Sequence, residues 1–410
     1  MWYGFIMGGI IRQIFSDHWE SFVNSVGKEK IRPAIFQEVE RMLSCGDFSN
    51  GYAEYHCTCG EKKRVAFTCK SRFCPSCGAV YTERWVESMS EKMFAVPHRH
   101  IVFTIPEELR IVFAKDRTLL KVLSDTAAHV IKWSFGKRKK KSKVYVAVIA
   151  VLHTFGRDLK WNPHVHVLVA EGYYVEGNDC WKKIDYMHYE QLRKSWQVSL
   201  LQALRHAVPK RLINKLYKDK NQGFYVHAKN RMRDARGAAK YIGRYVGRPA
   251  IAERRIVSYD GKQVTFWYEK HDTKERVEIT LPVYEFIGLL IRHIADKGFK
   301  MVRHYGLYAR TKKAKVVTIK TLGEVYEELK ASRRSWRNRI KKSFGIDPLR
   351  CKKCGRIMHF YDIVWPKYGS LLNIMKRRME KAYEKEEAQL KEYYESIQSW
   401  DAVYMPPVSA

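Results

Sequence analysis

No stretch of this 410-residue sequence stays apolar for the roughly 20 residues that a helix needs to cross a bilayer. Runs such as Met1 to Ile11 and Val144 to Leu152 stop well short. The opening run also lacks a basic leader and a small-residue cleavage site, so no secretory signal is read there. These absences exclude a membrane-spanning helix and predict a cytoplasmic, nucleoid-associated protein with no membrane partner. Acidic residues are scarce as well: 43 Asp and Glu stand against 76 Lys and Arg. Internal repeats and long low-complexity segments are missing, which sets aside solenoid architectures. Disulfides are not expected, because nine cysteines in a reducing compartment point to metal binding or core packing.

What is present follows from the same imbalance. A formal net charge of +33 implies a polyanionic partner, and nucleic acid comes before membrane. The 25 Tyr and 11 Trp set among those cations suit stacking on unpaired bases, hence single-stranded nucleic acid. A hydrophobic content of 46% is ordinary for a globular chain, and the length allows two or three domains.

Phe15, Trp19, Phe22, Val23 and Val26 recur at helical spacing, and Pro33 breaks the pattern before a second helix that carries the N-terminal region to residue 44. A zinc-binding domain is expected over 45–92. Cys45, Cys57, Cys59, Cys69, Cys74 and Cys77 crowd there among glycines that permit the tight turns of a metal knuckle. Cys74-Pro-Ser-Cys77 has ordinary knuckle spacing, whereas Cys57-Thr-Cys59 is tighter. Six thiolates exceed one tetrahedral site, so either one structural zinc takes four, or two sites form with help from His56 or another residue.

From about 95 the pattern changes to strands and amphipathic helices, and one α+β domain is expected over 95–310. His100 to Ile105 reads as a strand, Glu107 to Trp133 as a helix, and Lys143 to Thr154 as a second strand. Between them Lys137, Arg138, Lys139, Lys140 and Lys141 form a basic loop that can contact phosphates. Residues 188–218 and 233–246 read as helices, 255–270 as a hairpin turning at Asp260-Gly261, and Leu281 to Ala295 as a helix. The region 311–410 reads as basic and helical, with half a metal site at Cys351-Lys-Lys-Cys354, to which His359 adds a ligand or which stays a partnerless pair.

Two pairs of side chains carry chemistry. In Trp161-Asn-Pro-His164-Val-His166-Val-Leu-Val-Ala170, strand alternation points His164 and His166 to one face and Val165, Val167 and Val169 to the other. Such a pair holds one metal ion, or packs as satisfied core histidines. The preceding strand is an antiparallel neighbour by default, which brings His153 near as a third ligand or as a hydrogen-bonded core residue. A second pair, His98-Arg-His100, has a charged residue between its histidines and less resembles a buried strand presenting a site. On the helix at 233–246, Tyr241 and Tyr245 are one turn apart on a shared face, with Arg244 and Arg248 on a neighbouring one as DNA contacts. A divalent ion on the histidines would withdraw charge from a scissile phosphate. A tyrosine oxygen attacking phosphorus would give a 5′-phosphotyrosine and a free 3′-hydroxyl.

This arrangement resembles the HUH-endonuclease transposases of rolling-circle insertion sequences, of the two-tyrosine type with an N-terminal zinc-binding domain. Phe67 to Gly78 is similar to that family's zinc signature, His100 to Pro106 to its first strand, and Leu152 to Gly156 to the segment before its histidine motif. Asn162 to Val167, Tyr241 to Arg248 and Phe299 to Leu307 also fit, in the expected order from about residue 10 to 365. The resemblance implies an HUH-type antiparallel sheet packed with helices, His164 and His166 as ligands of Mg2+ or Mn2+, and Tyr241 and Tyr245 as nucleophiles. It further implies nicking and joining of single-stranded DNA at transposon ends and target. A plasmid-type replication initiator would use the same chemistry, and a zinc-dependent DNA-binding regulator would use none of it. The zinc domain and the order of the motifs favour the transposase.

Overall fold

Valine-rich alternation and glycine-marked breaks build a mixed fold of helices and antiparallel sheets, an α+β architecture, in this computed structural model. It describes residues 9–136, 144–175, 180–184, 187–228, 232–247, 250–270, 273–309, 319–325 and 336–404, with the side chains of Gly323 and of 397–404 left aside. The chain divides into two units, one comprising Met1–Leu43 and Cys69–Asp347, the other Ser44–Thr68 and Pro348–Ala410. Among the described residues no helix is long and apolar enough to cross a membrane.

The first unit begins with helices α1 (Ile10–Val26) and α2 (Pro33–Leu43) and resumes with α3 (Pro75–Lys92), which opens on the Cys74-Pro-Ser-Cys77 knuckle. Its central sheet contains β1 (His98–Thr104), β2 (Ala147–Phe155), β3 (Trp161–Ala170), β4 (Val226–Ala228) and β5 (Val302–Gly306), ordered β5-β2-β3-β1-β4 with every pairing antiparallel. One face is covered by α4 (Glu107–Lys115), α5 (Leu120–Gly136) and α6 (Tyr189–Ala203), packed on Ile101, Phe103, Leu152, Val165, Val167 and Val169. The opposite face is covered by α3 and α7 (Ala235–Gly243), whose Met89, Met93, Ala238 and Ile242 pack on Ile149, Val151 and Leu168. A strand buried on both faces reads as a continuous apolar run, as Ala147 to Leu152 does, whereas Val144–Tyr145 at the start of the expected strand pairs with Val175 and Tyr174 in a separate sheet.

Several helices end sooner than their periodicity predicts. The helix expected from Glu107 to Trp133 breaks after Lys115, because the Asp116 carboxylate accepts from the Thr118 N–H and opens a new turn. The helix expected over 188–218 breaks before Pro209, which lacks an amide proton to continue the ladder. The hairpin at Asp260-Gly261 forms between Ile256–Tyr259 and Gln263–Glu269, with Gly261 at φ +89°.

The second unit is assembled from two distant chain segments. Tyr52–His56 pairs with Lys62–Ala66 on one side and with His359–Trp365 on the other, and Gly369–Ser370 completes the sheet. A helix over Leu371–Tyr404 follows.

Candidate active site

The alternation of β3 decides where the histidines go. With Val165 and Val167 in the core beneath α4 to α6, His164 and His166 face α7 instead. On β2 the residue directly opposite His164 is His153, and Val151 stands opposite His166. Pro163 falls at a slip in register between His153 and Phe155, where a residue without an amide proton costs no ladder bond. His153 and His166 are buried, and His164 is partly so.

Hydrogen bonds to backbone carbonyls fix the tautomers. His164 Nδ1 is 2.7 Å from the Asn162 carbonyl oxygen, and His153 Nε2 is 2.6 Å from that of Tyr245. A carbonyl only accepts, so each of these nitrogens carries the proton and the other nitrogen of each ring keeps its lone pair. His164 Nε2 lies 3.0 Å from His166 Nε2, and one ring nitrogen from each of His153, His164 and His166 falls within 4.8 Å of the others. Burial, reinforced by the neighbouring His164, pulls the His153 pKa down to about 3, and burial lowers that of His164 as well. Both rings are therefore neutral at physiological pH. Neutral imidazoles oriented through carbonyl bonds on the far nitrogen are the donor set of a divalent metal site.

A fourth histidine belongs to the same cluster. His100 on β1 places its Nε2 3.0 Å from His166 Nδ1, with the two rings nearly parallel at 7°. The sequence discounts this residue because Arg99 interrupts its pair, yet the strand is buried. Arg99 points to the other face, where it meets the buried Glu171 carboxylate at 2.6 Å and the Tyr189 hydroxyl at 2.5 Å. The alternation of β1, whose Ile101 and Phe103 are apolar, is the signal that finds His100. Its neighbour His98 stays structural, bonded to the Val96 carbonyl and the Tyr308 hydroxyl, with burial pulling its pKa to about 4.

Above the histidines lie the two tyrosines, but not on one helix. The Asp234 carboxylate caps α7 by accepting from the Arg236 and Gly237 amides, and the helix ends at Gly243 rather than running to 246. Tyr245 sits in the turn beyond, its N–H donated to the Ile242 carbonyl at 2.9 Å. The two phenol oxygens are nevertheless 3.0 Å apart. The Tyr245 ring stacks on His166 at 4.1 Å between centroids, and the Tyr241 ring meets His100 edge-on at 5.0 Å. The Arg244 guanidinium lies over the Tyr241 ring at 4.5 Å, and a cleft of about 440 Å3 bounded by Arg233, Lys240 and Arg244 opens beside that tyrosine. Lys137, Arg138, Lys139, Lys140 and Lys141 of the expected basic loop, and Arg248, lie outside the described residues.

The thiols fall into groups that spacing alone does not reveal. In the second unit Cys57 and Cys59 meet Cys351 and Cys354, with Cys57 Sγ 3.4 Å from Cys354 Sγ and Cys59 Sγ 3.7 Å from Cys351 Sγ. Each pair sits on a tight turn closed by a glycine amide, Gly60 to the Cys57 carbonyl and Gly355 to that of Cys351, at φ +88° and +73°. The Cys59 N–H holds the Cys57 thiol down, to about 6, so it carries thiolate character. Neither His56 nor His359 joins the four sulfurs. His56 bonds the Glu54 carboxylate and stacks on Tyr361, while His359 is exposed on its strand. In the first unit Cys69, Cys74 and Cys77 converge at the start of α3, with Cys69 Sγ 3.5 Å from Cys77 Sγ. Cys45 lies two residues beyond Leu43, where the chain leaves that unit.

Residues 147–315 match a family model described as "putative transposase", and residues 14–105 match one described as a transposase zinc-binding domain. The chain is 29% identical to the transposase for insertion sequence element IS801 of Pseudomonas savastanoi pv. phaseolicola, over 80% of this chain and 83% of that protein. It is 24% identical to "putative transposase y4qJ" of Sinorhizobium fredii (strain NBRC 101917 / NGR234), over 69% of this chain and 74% of that one. No solved structure matches it.

Proposed function

Because this chain belongs to the transposases that carry an IS91-type zinc-binding domain, we propose that it nicks and rejoins single-stranded DNA through a 5′-phosphotyrosine link. The observation that carries this reading is the stack of Tyr245 on His166, with the Tyr241 hydroxyl 3.0 Å from that of Tyr245, over three histidines whose nitrogens converge. His153, His164 and His166 would hold Mg2+ or Mn2+, and three nitrogen donors suit Mn2+ better. A cation bound there supplies charge withdrawal from the scissile phosphate.

The chain's own groups do the rest. One tyrosine gives up its proton and its oxygen bonds to phosphorus; the bond from phosphorus to the 3′-oxygen breaks, and that oxygen leaves with a proton as a 3′-hydroxyl. The second phenol, within hydrogen-bond reach of the first, relays that proton or waits for a second strand. Arg244 and Lys240 neutralise phosphates on either side of the scissile one. Rejoining reverses the exchange with a 3′-hydroxyl from another strand, so the bond energy is conserved and a segment moves in rolling-circle fashion.

Incubating the full-length protein with a single-stranded oligonucleotide labelled at its 3′ end, with Mn2+ or Mg2+, should shift the label onto the protein in a denaturing gel. Chelator should prevent the shift. An unshifted label across random-sequence oligonucleotides with either metal would refute the reading.

Zinc is structural here. All-thiolate sites are closed and leave no position for substrate, so the cysteine groups hold folds together. Cys57, Cys59, Cys351 and Cys354 make one complete tetrahedral set. Cys69, Cys74 and Cys77 supply three ligands of another. Metal analysis is therefore expected to give two zinc ions per chain, and Cys351→Ser should lower the count to one. A count that stays at two would show that Cys351 holds no metal.

A further inference from the structure

Gly243 and Gly247 stand two residues before and two residues after Tyr245, and neither has the positive φ that would call for glycine. At Gly243, which still has helical backbone, alanine would serve the helix better by up to about 1 kcal/mol. What both positions lack is space. A Cβ on Gly243 would overlap Val86 Cγ2 on α3, while its next neighbours, Val86 Cβ and Trp85 Cε3, stay at 3.7 and 3.8 Å. A Cβ on Gly247 would lie 2.6 Å from Thr82 Oγ1, 2.7 Å from Tyr81 Cδ1 and 3.0 Å from the Gly78 carbonyl oxygen, all in the first two turns of α3. On its other side the same segment is tied to the sheet, where His153 Nε2 donates to the Tyr245 carbonyl at 2.6 Å.

We infer that α3, the helix that starts at the Cys74 and Cys77 knuckle, is the seat that fixes the reacting tyrosine segment, and that Gly243 and Gly247 are positioning residues which let it seat. The inference rests on the phosphotyrosine reading and adds to it which part of the protein sets the distance between the Tyr245 phenol and the histidines. A β-branched Val86 has one stiff rotamer in a helix and cannot swing aside, so a methyl on Gly243 displaces the tyrosine turn instead. Displacements near 1 Å cost on the order of 10²-fold in a reaction that depends on in-line approach.

The test is Gly243→Ala, alone and combined with Val86→Ala, in the full chain. Three quantities are read: adduct formation rate at saturating single-stranded DNA with Mn2+, affinity for the same DNA, and thermal midpoint. The expected result is that Gly243→Ala lowers the saturated rate on the order of 10²-fold while affinity and midpoint hold. Adding Val86→Ala, which deletes the obstructing methyl, should restore the rate. Gly247→Ala should lose the rate too and should not recover with Thr82→Ala, because Tyr81 and the Gly78 backbone still obstruct. A Gly243→Ala chain as fast as wild type overturns the inference, and so does a loss that Val86→Ala leaves in place. A rate that falls and returns only in step with the midpoint means a purely structural contact and overturns it equally. Absence of adduct in the wild-type chain removes instead the reading on which it rests.

Discussion

With Tyr241 and Tyr245 both changed to phenylalanine, the protein should form no covalent adduct with single-stranded DNA, whereas at least one of the single variants should still form it. Phenylalanine keeps each ring, so the stack of residue 245 on His166 and the Arg244 contact to residue 241 survive, and no cavity opens. Only the oxygens are lost. With those oxygens 3.0 Å apart, either can approach a phosphate held at the histidines after a small shift of its ring. Moving a segment requires holding one cleaved strand while a second is cut or joined, so both Tyr241→Phe and Tyr245→Phe should impair complete transposition. A label shift on a denaturing gel reads the adduct, and a mating-out or plasmid-capture assay reads transposition. Adduct in the double variant would place the nucleophile elsewhere, and a single variant fully active in transposition would reduce its tyrosine to a packing residue.

Loss of the histidine cluster should be as severe for cleavage and mild for binding. His164→Ala and His166→Ala each remove a converging nitrogen, and charge stabilisation worth several kcal/mol corresponds to a loss on the order of 10³-fold or more. DNA affinity, carried by Lys and Arg contacts to phosphates, should change little. His153→Ala should follow the same pattern. His100→Ala should be intermediate, about 10- to 100-fold, because its ring orients His166 through the 3.0 Å bond without joining the converging set. Titration of Mn2+ should show weaker metal affinity in each variant. Adduct that persists in the His164/His166 double variant with chelator present would remove the metal from the mechanism.

The face on which these histidines stand was legible because strand periodicity is exact: once Val165 and Val167 are inside, His164 and His166 must share the opposite side. The His153 position followed from the short connection between neighbouring strands. Longer-range facts were beyond reach. The charge of Arg99 beside His100 argues against burial, and the carboxylate that makes Arg99 acceptable, Glu171, is 72 residues away. Cys351 and Cys354 read as half a site because the other half is 292 residues away from Cys351, and no local spacing encodes such a closure. Helical periodicity in the sequence places Tyr241 and Tyr245 a turn apart on one helix. A 3₁₀-type bond from Tyr245 to Ile242 ends that helix early, and the phenol oxygens still meet at 3.0 Å. The fold class was legible from pattern alone, whereas the discontinuous make-up of the second unit was not.

That discontinuity sets a schedule for biosynthesis. The hairpin with Cys57 and Cys59 leaves the ribosome early, yet Cys351 follows 292 residues after Cys59. At about 5–20 residues per second the wait is on the order of 15–60 s, and during it two thiols of an incomplete site are open to oxidants and to competing metals. Everything from Cys69 to Asp347 is translated in that interval, so the first unit can finish folding before the second can close. A truncated chain ending before Cys351 therefore keeps the histidine and tyrosine cluster while lacking the unit that only a finished chain can close, and completion of synthesis becomes a checkpoint written into the order of the cysteines.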